Sequence, residues 1–372
     1  MSTHNWTALR GTTRAAQGKI RVLVVDDSVV IRHLVMHALR EEPDIEVVGA
    51  EPNGIAALKR IGEVHPDVVT LDIEMPLMDG LTALRQIRKL YPRVRTIMFS
   101  TLTQRGASST FEALSLGADD YVAKASNAGS LDQSLASLRG ELIPKIRQFF
   151  ASPAGTAPTP APRLPSKPAA AGPGPQAVRR SAPFRVLGIG VSTGGPQALA
   201  QLIPTLPASL RVPVLIVQHM PPMFTRLLAE RLDSQSPLHV VEAVDGMEIH
   251  PGTVYIAPGD YHLRLRRWGT GLFAALDQGP QENSCRPSVD VLFRSLTESL
   301  GKDVLSVVLT GMGSDGLRGT QALKTAGGYS VVQDQASSVV WGMPGAVAEA
   351  GLADGVFPLA ALGLEIVRLA GA

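Results

Sequence analysis

The chain has 372 residues, of which 45% are hydrophobic and 18% are charged, so its composition is that of folded domains and its length allows two or more of them. The 35 basic and 33 acidic side chains nearly balance, which gives no electrostatic reason to expect nucleic acid as a partner. Residues 1–19 lack the apolar core of a signal peptide, and no apolar run is long enough to cross a bilayer. We therefore expect a disordered tail at residues 1–19, no membrane insertion, and a cytoplasmic protein whose single cysteine, Cys285, forms no internal disulfide.

From Ile20 onward, short apolar runs alternate with stretches that carry apolar residues at helical spacing. The runs that predict strands are IRVLVV, EVVGA, DVVTLD, RTIMFS and DDYVAK. Between them, segments such as VVIRHLVMHALREE and LTALRQIRKL have the pattern of amphipathic helices. Regular alternation of strand and helix predicts a parallel sheet with helices on both faces.

Three carboxylates follow the predicted strands of this first half. Asp26 and Asp27 end the first apolar run, and Asp72 ends the third. The carboxyl ends of parallel strands meet at one edge of a sheet, where three acids repel one another unless a cation such as Mg²⁺ binds their oxygens. The same acids could instead cap the helices that follow them. The pattern alone leaves both interpretations open.

Four separated motifs resemble the receiver domain of two-component response regulators over about residues 20–140. They are VVDDS, LDIEMPLMDG, the hydroxyl residue Ser100 after TIMF, and Lys124 at the end of DDYVAK. The resemblance implies a flavodoxin-like (βα)5 fold that accepts a phosphoryl group on Asp72.

The same resemblance implies roles for the residues around that acceptor. The implied Mg²⁺ ligands are Asp26, Asp27, Asp72 and the backbone carbonyl of Glu74. Ser100 is expected to hydrogen-bond the phosphoryl oxygens, and Lys124 to pair with their charge. Ala125 departs from the pattern, because such domains commonly have a proline after the lysine, which puts the shape of the last loop in question.

The composition changes abruptly from Ala151 to about Pro183. This stretch, ASPAGTAPTPAPRLPSKPAAAGPGPQAVRRSAP, is dense in proline, alanine and glycine and contains no acidic residue. It has almost no side chains that could form a core, so it predicts an extended, semi-stiff linker. We therefore predict a first domain over residues 20–145, a linker over 146–183 and a second domain over 184–372.

After the linker, the alternation of strand and helix patterns resumes. The strand-like runs are FRVLGIGVS, VPVLIVQHM and DVLSVVLTGMG, and the helix-like segments are PQALAQLIPTL, TRLLAERLDS and GLRGTQALKTAG. The segment GTVYIAPGDYHLRLRR alternates apolar and polar residues and predicts a hairpin. We expect a second doubly wound parallel sheet.

The segment Gly188–Pro196, GIGVSTGGP, follows a predicted strand and opens a predicted helix, and it has three interpretations. As a glycine-rich turn it could bind a dinucleotide, but the next strand ends in Gln218 and His219 and offers no acid for the ribose. As the pattern G-x-S-x-G centred on Ser192, it matches the sharp turn that exposes a nucleophilic serine. In the third interpretation, its serine or threonine caps the N-terminus of the helix, a position that both residue types favour.

Two further residues favour catalysis over capping. His219 ends the next predicted strand, and Asp315 follows another, so both are expected at the same edge of the sheet as Ser192. A serine hydroxyl needs a base to activate it, and that base needs an acid to orient it. Taken singly, His219 could be a packing residue and Asp315 a helix cap. Jointly, the three residue types at three strand ends indicate a hydrolase.

The second half resembles the catalytic domain of chemotaxis-type protein-glutamate methylesterases over about residues 184–370. The matching blocks are GIGVSTGGPQAL, VLIVQHMPPMFT, VYIAPGDYHL, RPSVDVLF, VLTGMGSDGLRG and WGMPGAV. The order of receiver, linker and esterase resembles the whole enzyme of that family. The resemblance implies a doubly wound hydrolase domain that needs no cofactor.

The implied roles are a nucleophile at Ser192, a base at His219 and an orienting acid at Asp315. The backbone N–H groups of Met312 and Thr193 are expected to bind the oxyanion. Implied substrates are glutamate methyl esters on the cytoplasmic domains of chemoreceptors, with deamidation of receptor glutamines as a second activity. The implied phosphate donor is a chemotaxis-type histidine kinase, and phosphorylation is expected to relieve inhibition by the receiver.

Cys285 offers an alternative nucleophile in the loop-like segment NSCRPSVD, although Ser192 accounts for the pattern without it. Arg286, beside the cysteine, is a candidate contact for acidic residues around the target glutamate.

Overall fold

The computed structural model describes residues 18–101, 103–124, 131–150 and 184–371. The chain divides into two compact units, residues 1–154 and 155–372. The predicted tail at residues 1–19 and the predicted linker at 146–183 lie almost wholly outside the described residues, as does Ala125. Within the described part of the chain, no helix combines the length and the apolar content needed to cross a bilayer.

The first unit is a single sheet with helices between its strands. Its strands are β1 (Ile20–Val25), β2 (Ile45–Glu51), β3 (Val68–Asp72), β4 (Arg95–Thr101) and β5 (Asp120–Lys124). Its helices are α1 (Val29–Arg40), α2 (Gly54–Val64), α3 (Gly80–Leu90), α4 (Gln104–Ser115) and α5 (Leu131–Arg147). All neighbouring strands pair in parallel, in the order β2-β1-β3-β4-β5. This is the flavodoxin-like order, so the predicted (βα)5 fold is confirmed.

The first four helices begin at polar side chains that accept a hydrogen bond from the first turn. These caps are Ser28, Asn53, Asp79 and Thr103. Helix α1 is thus capped by Ser28 rather than by the acids before it, and α3 by Asp79 rather than by Asp72. The strand-end acids are left to form a cluster of their own.

Helix α5 extends beyond residue 145, the predicted end of the first domain. It continues to Arg147, and Ile146 is fully buried in the core of this unit with Leu142 and Ile143. Burial of an apolar residue at this position stabilises the last turn of the helix, so the helix outlasts the predicted boundary.

The second unit has a seven-stranded sheet and a separate two-stranded one. Its strands are β6 (Val186–Val191), β7 (Val214–Gln218), β8 (His239–Glu242), β9 (Thr253–Ile256), β10 (His262–Trp268), β11 (Gly271–Asp277), β12 (Val304–Val308), β13 (Tyr329–Gln333) and β14 (Gly355–Phe357). Its helices are α6 (Gly195–Leu202), α7 (Phe224–Asp233), α8 (Val289–Leu300), α9 (Leu317–Thr325), α10 (Met343–Glu349) and α11 (Leu359–Ala370), and it has 3₁₀ turns at Ile203–Thr205 and Gly301–Asp303.

The large sheet is parallel throughout, in the order β14-β13-β12-β6-β7-β9-β8. Its central strands β6, β7 and β12 are buried along their whole length, which explains their continuous apolar runs. Starting from β6, the chain first adds strands on one side of it, beginning with β7. It later adds strands on the other side, beginning with β12. The strand order therefore reverses beside β6, and in doubly wound folds ligands bind at that point.

The predicted hairpin in residues 252–267 is wrong in its pairing. Strand β9 joins the large parallel sheet, whereas β10 pairs antiparallel with β11, His262 opposite Asp277. The Pro-Gly-Asp turn at residues 258–260 separates β9 from β10. The alternation in β10 reflects its own half-buried face and not a turn back onto β9.

Candidate functional site

Ser192 lies in a sharp turn between β6 and α6. The cap of α6 is Gly194, with φ +76° and no side-chain hydrogen bond, so Ser192 does not cap the helix. The carbonyl of Ser192 accepts from the N–H of Gly195 at 2.8 Å, and its own N–H donates to the carbonyl of Thr310 at 3.0 Å. Its hydroxyl makes no hydrogen bond with any residue that the structure describes. The turn is thus fixed through its backbone, which leaves the hydroxyl free to react.

His219 and Asp315 are brought together as predicted. His219 directly follows β7, and its N–H donates to the carbonyl of Val191 at 3.2 Å, beside the end of β6. The imidazole Nε2 lies 2.8 Å from Oδ2 of Asp315. The hydroxyl of Ser192 lies at the neighbouring strand end but is not hydrogen-bonded to His219.

The carboxylate of Asp315 is held by a set of donors around the start of α8. They are the Ser288 hydroxyl (2.8 Å), the Asn283 amide (2.8 Å) and the N–H groups of Val289 (2.7 Å), Asp290 (3.0 Å) and Gly316 (3.0 Å). Burial raises the pKa of Asp315, but His219 and the N–H groups of Asp290 and Val289 have the larger opposite effect and bring it to about 2. The acid is therefore ionised and fixed in place, with one oxygen turned to the imidazole.

The second ring nitrogen of His219 contacts Cys285, the single cysteine of the sequence. Sγ of Cys285 lies 3.6 Å from Nδ1 of His219. Burial lowers the pKa of His219, but the hydrogen bond of Asp315 and the contact with Cys285 raise it, with a net result of about 10. In this arrangement the imidazolium form is favoured, so His219 must lose its proton before it can act as a base.

The turn after β12 lies directly against Ser192. A side chain at Gly311 would place its Cβ 2.9 Å from Cβ of Ser192 and 2.4 Å from Sδ of Met343, so only glycine allows this approach. The N–H of Met312 makes no hydrogen bond within the described part of the chain. The carbonyl of Thr193 accepts from the Thr310 hydroxyl at 2.9 Å, which ties the serine turn to the strand end before Met312.

Arg286 has its partners inside the unit. Its Nε and Nη2 contact Oδ1 of Asp260 at 3.0 and 2.6 Å, and its Nη1 donates to the carbonyls of Gln278 and Gly279. The guanidinium thus holds three loops together, and its contact with acidic groups of a substrate stays a prediction.

In the first unit, Asp26, Asp27 and Asp72 each offer an oxygen within 4.8 Å of the others. Burial and repulsion by Asp26 raise the pKa of Asp72 to about 6, although Lys124 acts in the opposite direction. Nζ of Lys124 lies 2.8 Å from both Asp26 Oδ2 and Asp72 Oδ1. Asp27, Asp72 and Glu74 line a cavity of about 200 Å³. The three converging carboxylates beside it suit a divalent cation with oxygen ligands.

Ser100 is turned toward α4 rather than toward Asp72. Its hydroxyl contacts the carbonyl of Gly106 at 3.0 Å and accepts from the Thr110 hydroxyl at 2.6 Å. Contact with phosphoryl oxygens would require Ser100 to exchange these partners.

Sequence reasoning missed Asn283 and Ser288, and it treated Gln218 only as the end of a strand. Each acts through a hydrogen bond to a residue distant in the chain; Asn283 and Asp315, for example, are 32 positions apart. No local pattern signals such a contact.

The fold and the two sites define a class of protein: a receiver domain joined to a doubly wound hydrolase. A family model described as CheB methylesterase matches residues 187–366, and one described as response regulator receiver domain matches residues 22–136. The chain belongs to the CheB methylesterase family and carries a response-regulator receiver domain.

Similar proteins agree with this assignment along nearly the whole chain. A protein-glutamate methylesterase/protein-glutamine glutaminase of Nocardioides is 54% identical over 359 residues, 94% of this chain and 95% of that protein. One of Trichodesmium erythraeum is 49% identical over 354 residues, 95% of this chain and 99% of that protein. The crystal structure of the Thermotoga maritima CheB methylesterase catalytic domain matches with a TM-score of 0.50 and 44% identity, over 50% of this chain and 100% of that chain.

Proposed function

We propose that this enzyme hydrolyses methyl esters of glutamyl side chains on chemoreceptors, with Ser192 as nucleophile, His219 as base and Asp315 as the acid that orients the base. The observation that carries the proposal is the 2.8 Å contact between His219 and Asp315 at the sheet edge where the free hydroxyl of Ser192 lies.

The reaction is acyl transfer in two steps. Oγ of Ser192 attacks the ester carbonyl while His219 takes the hydroxyl proton. Collapse of the tetrahedral intermediate breaks the bond to the methoxy oxygen, which leaves as methanol with the proton from His219. Water, deprotonated by His219, then attacks the acyl-enzyme and releases a glutamate and the serine hydroxyl.

Each ring nitrogen of His219 has a separate task. Nε2 is held by Asp315, so Nδ1 is the nitrogen that accepts the proton of Ser192. Nδ1 must exchange its contact with Cys285 for one with Ser192, and catalytic hydrogen bonds commonly tighten only when substrate is bound.

The oxyanion is bound by backbone N–H groups beside the serine. The N–H of Met312, which has no partner among the described residues, follows Gly311, which packs on Ser192. Thr193 lies at the N-terminal end of α6, whose dipole favours negative charge. An amide presents the same acyl carbon with a poorer leaving group, so the same groups support deamidation of receptor glutamines.

The receiver controls this activity through phosphorylation of Asp72 by a chemotaxis-type histidine kinase. Asp26, Asp27, Asp72 and the carbonyl of Glu74 would hold Mg²⁺, which neutralises the phosphoryl oxygens when bound. Lys124 pairs with the new charge, and Ser100 leaves Thr110 to hydrogen-bond it. Both units work in the cytoplasm, where the methylated parts of chemoreceptors lie.

The test is methanol release from methylated receptor membranes. We expect Ser192→Ala to reduce the rate by about a thousandfold or more while the fold and phosphorylation persist. An undiminished rate in this variant would remove the mechanism.

A cysteine nucleophile is the second candidate, because Cys285 is the group that contacts Nδ1 of His219. Cys285→Ala separates the two candidates in the same assay. Retained methanol release in Cys285→Ala together with its loss in Ser192→Ala assigns the nucleophile to the serine, and the reverse pair assigns it to the cysteine.

A further inference from the structure

One glutamine side chain joins the two strand ends that carry Ser192 and His219. The ladder between β6 and β7 reaches its last pair at Val191 and Gln218. Beyond it, Nε2 of Gln218 donates to the carbonyl of Ser192 at 3.0 Å and to the carbonyl of His219 at 3.2 Å. A single amide group thus joins the carbonyls of both residues, whose own N–H groups are bonded to Thr310 and Val191.

The surroundings determine which way this amide faces. The reverse orientation would point Oε1 of Gln218 at two carbonyl oxygens, which repel it, so the NH₂ group faces them. Gln218 is only 2% exposed, and its Oε1 makes no hydrogen bond with the described residues. An unpaired buried acceptor destabilises a fold, and a methionine of similar length would avoid that cost. Packing alone therefore does not account for a glutamine here.

Gly195, the first residue of α6, makes room for the amide. A Cβ at this position would lie 1.8 Å from Oε1 of Gln218. Any larger residue would push the amide away from the two carbonyls, because both hydrogen bonds and the surrounding packing hold it in place. The serine turn and the glutamine are thus fitted to each other.

We infer that Gln218 is a positioning residue that sets the separation of Ser192 and His219 by donating both amide hydrogens to their carbonyls. The inference rests on the proposed function, in which Ser192 and His219 must exchange a proton. Proton transfer between residues on separate strands is sensitive to misplacement of about 1 Å, so loosening this link should slow the reaction without weakening receptor binding.

Gln218→Met removes both donors and keeps the length of the side chain. We expect kcat for methanol release to fall at least about tenfold, with KM for methylated receptor changed less than about threefold. Labelling of Ser192 by a fluorophosphonate should slow by a similar factor, because that reaction needs the activated hydroxyl but no receptor.

The control is Val214→Ala, a cavity variant at the opposite end of β7, where Val214 is fully buried. It should lose stability but keep kcat and the labelling rate per folded molecule. A second variant, Gly195→Ala, displaces the amide while Gln218 is retained, and it should reproduce the kinetic loss of Gln218→Met.

The inference is overturned if Gln218→Met, or Gly195→Ala where the first variant does not fold, keeps kcat and the labelling rate within about twofold of the Val214→Ala control. Failure of the proposed function gives a different result, namely that Ser192→Ala still releases methanol at the full rate.

Discussion

At the residue scale, the imidazole of His219 lies between the carboxylate of Asp315 and the sulfur of Cys285, and both groups raise its pKa. Burial lowers its pKa, whereas the contacts of Nε2 with Asp315 and of Nδ1 with Cys285 raise it to about 10. The proposed mechanism requires the orienting acid but assigns no role to Cys285. Where its sulfur accepts a hydrogen bond from protonated Nδ1, Cys285 favours the imidazolium form, which cannot act as a base.

Removing the thiol should shift the pH dependence of the reaction. Cys285→Ala takes away a group that raises the pKa of His219, so the neutral imidazole becomes available at lower pH. We expect the acidic limb of the kcat/KM profile for methanol release to move to lower pH, by about one unit. Cys285→Ser, which keeps a hydrogen-bonding group, is the control and should shift less. A limb that stays in place in Cys285→Ala, or moves to higher pH, would contradict this account.

The ionised carboxylate of Asp72 should lower the stability of the first unit when no cation is bound. Its pKa is raised from 3.8 to about 6, so the ionised form is disfavoured in the fold, and stability falls as the pH rises through this interval. We expect Asp72→Asn, in the presence of a chelator at pH 7.5, to raise the free energy of unfolding of the first unit by about 1–3 kcal/mol. Hydrogen exchange of β1 and β3 in the full chain measures the change.

Added Mg²⁺ supplies the matched comparison. It should stabilise the wild type more than Asp72→Asn, because the cation relieves the repulsion among the three carboxylates. The exposed acid Glu46 provides the control, since Glu46→Gln should change little in either condition. A variant less stable than the wild type in chelator, or an equal response to Mg²⁺, would show that the acids do not form a cation site.

At the element scale, the start of helix α8 holds the acid of the second unit. The N–H groups of Val289 and Asp290 donate to Asp315, and the Ser288 hydroxyl adds a third bond. The partial positive charge of a helix N-terminus stabilises a carboxylate placed there. Helix α8 thus positions the acid, and the ionised acid in turn stabilises the helix.

Neutralising that acid should destabilise the second unit at neutral pH. The pKa of Asp315 is lowered from 3.8 to about 2, so its carboxylate contributes stability above pH 4 that is lost as the pH falls toward 2. We expect Asp315→Asn to lower the free energy of unfolding by about 2 kcal/mol at pH 7, measured by hydrogen exchange of α8. Asp245→Asn, at an exposed acid that accepts one backbone bond, should change it by less than about 0.5 kcal/mol. Equal effects of the two variants would refute the role of the charge.

The elements themselves were largely predictable from the sequence. Continuous apolar runs indicated β6, β7 and β12, because strands that are buried on both faces do not alternate apolar with polar residues. The predicted pairing of β9 with β10 was wrong because the alternation in β10 does not reveal which strand it pairs with. Its partner, β11, lies further along the chain. Helix α5 continues past the predicted domain boundary at residue 145, and the burial of Ile146 that accompanies this is a tertiary effect.

At the scale of the whole molecule, the candidate site could be predicted because parallel strands bring their carboxyl ends to one edge. That rule placed His219 and Asp315 together although 96 residues separate them. It could not predict the contact of Cys285 with Nδ1 of His219 or the hydrogen bond from Asn283 to Asp315. Cys285 and Asn283 both lie in the loop before α8 rather than at a strand end. Contacts made by loops depend on the packed fold and have no periodic signal.

At the same scale, the proposed control of the esterase by the receiver can be tested by phosphorylation. We expect a small phosphodonor with Mg²⁺ to raise methanol release by the wild type severalfold and to leave Asp72→Asn unchanged. A form that lacks residues 1–183 should show a raised basal rate that no phosphodonor alters. If that form keeps the basal rate of the full chain, the receiver does not inhibit the esterase.

The most direct measurement of the central claim is site-mapped labelling with a fluorophosphonate, followed by digestion and mass spectrometry of the peptides. Our account predicts one adduct, on Ser192, formed at least about a hundredfold more slowly in Asp315→Asn because the imidazole then lacks its orienting charge. An adduct on Cys285 instead, or a Ser192 adduct whose rate is independent of Asp315, would contradict it.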